Sequence, residues 1–289
     1  MSSFQPRRGY GLLRCPLCSV ELAAAAGALV CRNRHSFDLA REGYVNLLQS
    51  RRRGAAAGGD STAQLRYRAA FLDAGHFDAI AATIAEHVLE ANAKPPFGQW
   101  CVLDAGSGTG HHLAKLAVAL PPPVIGLGLD IAKDAVRRAA RHWVTLAFAV
   151  ADLWAEWPVR DAAIDLVISI FAPKNLPEAA RVLRPGGWLA LVYPGPAHLI
   201  ELRDRFGLIA QHEDKTRRYS ELARRYVGPP TIYQLSSRAI IDGPGIRAAI
   251  LMGPNARHLA VPILDPEPEP SPVTFDLTLL LARKISRSG

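Results

Sequence analysis

Four residues near the start of the chain have the types and spacing of a metal site: Cys15-x2-Cys18, twelve intervening residues, then Cys31-x3-His35. Two close pairs of soft donors joined by a hairpin-length segment can reach the corners of a tetrahedron. Zn²⁺ prefers that geometry, with thiolate at about 2.3 Å and imidazole at about 2.0 Å. Four protein ligands leave no position for a catalytic water, so the expected metal is structural. So short a segment buries too little apolar surface to fold unaided, and metal binding supplies the missing free energy. Three of the chain's four cysteines lie here, and an odd number fits a disulfide reading poorly. The fourth, Cys101 in "WCVLD", reads as inert core. Arg32 and Arg34 fall inside the second ligand pair, where the metal would hold them toward a partner.

A second chemistry is written in "VLDAGSGTGHHLAKLA", a strand, a glycine-rich turn and a helix. Gly106, Gly108 and Gly110 allow a tight turn and close approach to a ligand, and the helix start offers N–H groups. By itself this stretch would also fit a dinucleotide such as NAD. Three acids favour S-adenosylmethionine. Asp104, at the strand end, suits a cofactor carrying an ammonium and a sulfonium and would repel a pyrophosphate. Asp130, ending the next strand, is placed to accept from both ribose hydroxyls. Asp152, in "VADLW", can take the adenine amino group. Each acid alone also fits a helix cap or a loop; three at successive strand ends favour the cofactor.

These residues need a frame, and the chain supplies one. Beyond Trp100, "WCVLDAG", "VIGLGLDIA", "LAFAVADL", "AIDLVISIF" and "WLALVYPGP" read as strands buried on both faces. Between them "GHHLAKLAVAL", "KDAVRRAARHW" and "NLPEAARVLRPGG" read as helices, which predicts an α/β doubly wound parallel sheet. "TIYQLSSRAII" and "SPVTFDLTLLLARK" predict two further strands. Ahead of the sheet, "TAQLRYRAAFLDAG", capped by Asp60 or Ser61, and "HFDAIAATIAEHVLEANA" predict helices. The expected division is a zinc-binding module over 1–48, a linker and helical segment over 49–99, and a cofactor domain over 100–289.

Charge and hydropathy narrow the class. Residues 1–60 hold nine arginines against four acidic residues, whereas the whole chain of 289 is only +8. A basic arm on a nearly balanced body suggests a polyanion, nucleic acid first, although a solvated surface also fits. Arg51, Arg52 and Arg53 in the connector "QSRRRGAAAGGDS" add to that arm. No apolar run reaches the roughly 20 residues of a membrane span, and the opening lacks an apolar leader core. The expectation is a cytoplasmic protein in a reducing compartment, without a membrane partner.

With both halves in view, the chain resembles the large-subunit (23S) ribosomal RNA guanine-N1 methyltransferases, a family that includes tylosin-resistance enzymes. The resemblance spans roughly residues 13–210. It rests on the Cys/His motif followed by "HSFDLAREGYVNLL", on "RAAFLDAGHF", "LDAGSGTG" and "FAPKN", and on "RPGGWLALVYPGPAHLIEL". It implies a class I, Rossmann-like methyltransferase fold with an antiparallel final strand pair, structural zinc and S-adenosylmethionine. It also implies 23S rRNA as partner, and allows macrolide resistance of the tylosin type and a homodimer. Further cofactor contacts implied by it fall on Phe77, on Gly110 with His111, and on His198. Phe77 stands where relatives can carry Tyr. Read from the residues alone, Phe77 equally fits helix packing and His198 a helix cap.

Guanine N1 is a poor nucleophile until it loses its proton, so the base must leave its stack and align with the methyl group. In a doubly wound sheet it would sit above the end of "DLVISIFAPKN", which makes Phe171, Pro173, Lys174 and Asn175 the expected base pocket. Lys174 would stabilise charge developing on O6. The sequence names no general base. Two other classes remain: a zinc-ribbon RNA-binding protein with an inactive cofactor fold, and a methyltransferase for a small molecule or protein.

Overall fold

Between the two ligand pairs the chain doubles back as a hairpin, β1 (Ala23–Ala25) and β2 (Ala28–Val30), and β3 (Ser36–Asp38) adds antiparallel to β2. The computed structural model describes residues 6–48, 60–91, 95, 98–208, 214–253, 256, 264 and 266–285. Leu22, Leu29, Cys15 and Cys31 are buried in this thin ribbon. It is tied closely to the rest of the chain. Arg14, 9% exposed, pairs with Glu156 and, at 2.9 Å, with Asp161, both beyond the Ala147–Val150 strand. The next strand, β4 (Val45–Asn46), runs parallel to Ala149–Val150 and is the edge of the main sheet. The first 48 residues therefore contribute a strand to the larger unit as well as a metal ribbon.

Helix α1 (Thr62–Asp73) starts at Ser61, whose hydroxyl accepts from Gln64 N while the Gln64 side chain accepts from Ser61 N. Helix α2 (Asp78–Glu90) follows. The expected alternation then appears: β5 (Trp100–Ala105), α3 (His111–Ala119), β6 (Val124–Asp130), α4 (Lys133–His142), β7 (Ala147–Val150), β8 (Ile164–Ile170), α5 (Leu176–Val182) and β9 (Leu183–Pro194). Every residue of β7 and β8 is buried, as strands covered by helices on both faces must be. Strand β9 begins at Leu183, before the expected Trp188.

Three helices had no signal in the sequence reading: α6 (Ile200–Phe206), α7 (Lys215–Tyr226) and, after β10 (Pro230–Ile241), α8 (Gly243–Leu251). Helix α7 buries only Ser220 and Ala223, so it shows little apolar stripe. Helix α8 opens Gly-Pro-Gly, which reads as a turn, yet the Asp242 carboxylate caps it by accepting from Gly245 N. The last strand is β11 (Ser271–Arg283).

The main sheet runs β10-β11-β9-β8-β5-β6-β7-β4. Pairing is parallel from β9 to β4, and β11 lies antiparallel to both β9 and β10. The chain winds outward from β5 toward β7 and from β8 toward β9, so strand order reverses between β5 and β8. A crevice outside the carboxyl ends at such a reversal is where this architecture takes ligands. Among the described residues, no helix is long and apolar enough to cross a membrane.

Candidate functional site

The metal ligands predicted from spacing converge. One donor atom from each of Cys15, Cys18, Cys31 and His35 lies within 4.8 Å of the others. Cys15 Sγ and Cys31 Sγ stand 3.4 and 3.5 Å from His35 Nδ1, and Cys18 Sγ is 3.7 Å from Cys31 Sγ. Two tight turns set this up. Cys15 O accepts from Ser19 N at 2.8 Å, and Cys31 O accepts from Arg34 N at 2.9 Å, with Ser19 and Arg34 both at positive φ. Three thiols and one imidazole at these separations fit a tetrahedral Zn²⁺. The second turn leaves Arg32 and Arg34 exposed.

At the strand-order reversal, the glycine loop follows β5 with φ of +94° at Gly106, +52° at Gly108 and +79° at Gly110. At Gly106 a Cβ would collide with Ala172 Cβ, so the loop packs against the segment after β8. Asp130, at the end of β6, holds the loop: Oδ2 accepts from Gly108 N and Oδ1 from Ala132 N, each at 2.8 Å. Asp152 Oδ1 accepts from Trp154 N at 2.9 Å, which turns the chain after β7. The three acids named from the sequence thus stand at the ends of three adjacent parallel strands.

Four buried polar atoms around this crevice lack a partner among the described residues: Asp104 Oδ1, Ser107 Oγ, His112 Nδ1 and His198 Nδ1. Burial, reinforced by the negative charge of Asp130, pushes the Asp104 carboxyl up to about 8. Burial lowers His112 to about 3 and His198 to about 4, so both imidazoles are neutral. A buried acid with an unused oxygen beside neutral donors and acceptors fits a ligand carrying positive charge and several polar groups, as S-adenosylmethionine does.

Two histidines exchange expected places. The His111 side chain is committed to Asp78 at 3.1 Å, and Asp78 also accepts from Lys115 at 2.6 Å, an arrangement that locks α2 to α3. His112, which the sequence reading passed over, has the unpartnered nitrogen. A second passed-over residue is Arg68 on α1, whose guanidinium nitrogen lies 3.7 Å from where a Cβ on Gly108 would be. The stretch "RYRAAFLDAGHF" holds both Arg66 and Arg68, and nothing in it marks which one faces the loop.

The base-pocket set divides. Phe171 is 41% exposed at φ +53°, a conformation bulky residues rarely adopt, and it is the residue next after β8. Its ring centroid lies 5.2 Å from Phe77 and 6.3 Å from His198, so three residues named from the sequence form one aromatic corner. Pro173 is exposed beside it. Lys174 and Asn175 turn inward, a correction to the expected pocket. Lys174 Nζ donates to Ser169 O at 2.8 Å, Ser169 Oγ at 3.2 Å and Val192 O at 3.4 Å, and burial lowers it to about 7. With its donors spent on β8 and β9, it does not reach out to a base. Asn175 caps α5 and donates to Leu153 O and Ala155 O at 3.0 and 3.3 Å, steadying the loop after Asp152.

Comparison with known proteins agrees with both halves of this picture. A family model described as "RlmA, N-terminal", a zinc ribbon, matches residues 13–53, and a methyltransferase-domain model matches 102–187. A 23S rRNA (guanine(748)-N(1))-methyltransferase of Streptomyces fradiae is 40% identical over 247 residues, 85% of this chain and 86% of that protein. A Micromonospora griseorubida protein named as a 23S rRNA (guanine-N(1)-)-methyltransferase, with no position given, is 40% identical over 260 residues, 85% of this chain and 87% of its own length. In three dimensions the chain is similar to the YcgJ protein of Bacillus subtilis, with TM-score 0.50 and 14% identity over 73% of this chain and 99% of that one, a likeness of fold alone. At 40% identity over 85% of its own length and 86–87% of theirs, the chain belongs to the 23S rRNA guanine-N1 methyltransferase family.

Proposed function

We propose that the chain transfers the methyl group of S-adenosylmethionine to N1 of a guanine in a hairpin of 23S ribosomal RNA. The observation that carries this reading is the union of the Cys/His ribbon with an acid-lined crevice at the strand reversal, in a chain 40% identical to a relative named for that reaction. When bound, the cofactor supplies an activated methyl on a sulfonium; the chain's share is to bind, orient and exclude water. Asp104 would face the cofactor's positive charges, Asp130 the ribose hydroxyls and Asp152 the adenine amino group. Gly106, Gly108 and Gly110 would admit the backbone close to it, with Phe77, His198 and His112 alongside, and His111 would steady the first turn of α3 through Asp78.

The exposed Phe171 ring would stack the guanine drawn out of its helix, with Pro173 at the rim. Lys174 and Asn175 would act from behind, by fixing the loops that carry that rim. Arg32 and Arg34 would grip phosphates of the hairpin, which adds affinity without reading sequence. Arg51, Arg52 and Arg53 belong to the same proposal and lie outside the described residues. A ribosomal RNA substrate would put the chain in the cytoplasm.

Asp104 makes cofactor binding pH-dependent. Its carboxyl has an ordinary value of 3.8 and is held near 8 in the fold, so ionising it penalises the ligand-free fold as pH rises from about 4 through about 8. A cationic ligand relieves that penalty. Affinity for S-adenosylmethionine is therefore expected to rise between about pH 6 and about pH 8, with proton release on binding. Loss of the proton from Lys174 acts with the same sign. Calorimetry in buffers of different ionisation enthalpy reads the released proton, and Asp104→Asn should abolish most of the slope. An Asp104→Asn chain that keeps the full slope would remove Asp104 from this role.

The reading as a whole is tested by incubating the chain with labelled S-adenosylmethionine and, separately, a 23S rRNA transcript, small phenols and protein acceptors. Label is expected in the RNA alone. Label only in a small molecule or protein would establish the rival methyltransferase class, and none anywhere the inactive-fold class.

A further inference from the structure

The cofactor proposed above ends in an amino acid that carries a carboxylate as well as an ammonium. The crevice is hard on that carboxylate. Asp104 and Asp130 line it, and Asp60 stands close enough that its charge raises the Asp130 carboxyl further. An anion entering beside Asp130 and Asp60 needs a cation of its own. Lys174 acts on Asp104, but its donors are taken by Ser169 and Val192.

Arg68 meets the requirement. Its side chain, 28% exposed, reaches from α1 over the glycine loop, with Nη1 3.7 Å from the Cβ position of Gly108. Its charge acts on both Asp130 and His112, the residue with the unpartnered Nδ1. Two contacts aim the guanidinium: Nη2 donates to Met252 O, just past α8, at 2.8 Å, and Nη1 is paired with the Asp60 carboxylate. A planar fork of N–H donors already holding a carboxylate at this place is built to hold a carboxylate.

We infer that Arg68 is the anchor for the cofactor's carboxylate, and that Asp60 is the resident carboxylate it displaces or shares the guanidinium with. The inference rests on the methyltransferase reading above and assigns one end of the cofactor within it.

The test compares S-adenosylmethionine with its decarboxylated form, which lacks only the carboxylate, by calorimetry on the full zinc-loaded chain. Wild type is expected to prefer the intact cofactor by about 10- to 100-fold, the range for hydrogen bonds to a charged group. In Arg68→Gln that preference should fall to about threefold or less, with affinity for the decarboxylated form nearly unchanged. Asp60→Asn, which leaves the guanidinium in place and takes away its internal partner, should raise the preference and serves if Arg68→Gln does not fold. Equal weakening of both ligands by Arg68→Gln, or a lowered preference in Asp60→Asn, would overturn the inference and leave the methyltransferase reading standing. A wild-type chain that binds neither ligand would overturn both.

Discussion

Changing Cys31 to Ser, or stripping the metal with a chelator, is expected to remove the zinc and collapse the ribbon while the larger sheet stays folded. The ribbon has three strands of three residues and a handful of buried side chains, far too little to fold by itself. Structural zinc in such modules contributes apparent binding energies of about 10–16 kcal/mol, so its loss is not survivable locally. The crevice is built from the ends of β5, β6, β7 and β8, and no ribbon strand lines it. Affinity for S-adenosylmethionine should therefore stay within about twofold, while the apparent KM for RNA rises about tenfold or more as Arg32 and Arg34 lose their scaffold. Elemental analysis of fresh protein checks the premise: about one zinc per chain is expected, and none would refute it.

The glycine loop gives the second large effect, and its positions should fail in different ways. At Gly110 a Cβ would stand 2.7 Å from Phe148 Cζ, buried in the core, and 2.8 Å from Trp143 Cδ1, packed against it. With φ of +79° as well, Gly110→Val should cost about 3–5 kcal/mol from overpacking and backbone strain together. At Gly108 the nearest atom is Arg68 Nη1, so a side chain there projects into the crevice. Gly108→Val should fold with a smaller penalty, on the order of 2 kcal/mol for the left-handed backbone, and lose cofactor binding altogether. Thermal melts and calorimetry on the two variants separate the cases. Cofactor binding intact in Gly108→Val would mean the crevice lies elsewhere.

Much of this was legible in the sequence because the signals are local. The runs "VIGLGLDIA" and "AIDLVISIF" are apolar but for Asp130, Asp165 and Ser169, as a strand covered on both faces requires, and the Cys/His spacing is a ligand geometry written as intervals. What escaped depends on tertiary partners. Lys174 and Asn175 were placed in the pocket because they follow Phe171, yet the direction of a side chain after a strand end is set by what it can bond, and Ser169, Val192 and Leu153 offered carbonyls inside. His111 and His112 are adjacent in sequence, and only Asp78 on α2 decides which is occupied. Arg68 joins the glycine loop from 40 residues away, a pairing with no periodicity to announce it. Helix α7 escaped because its polar surface is nearly complete.

The central claim concerns a single atom. A 23S rRNA transcript incubated with the chain and S-adenosylmethionine should be digested to nucleosides, and the methylated product identified by mass spectrometry against standards. The same RNA should be copied by reverse transcriptase, which stops where N1 is blocked. N1-methylguanosine, approaching one per RNA, with one new stop at a guanine in a hairpin, is the result expected. Methyl groups on another guanine atom, on a ribose or on a different base would contradict the account.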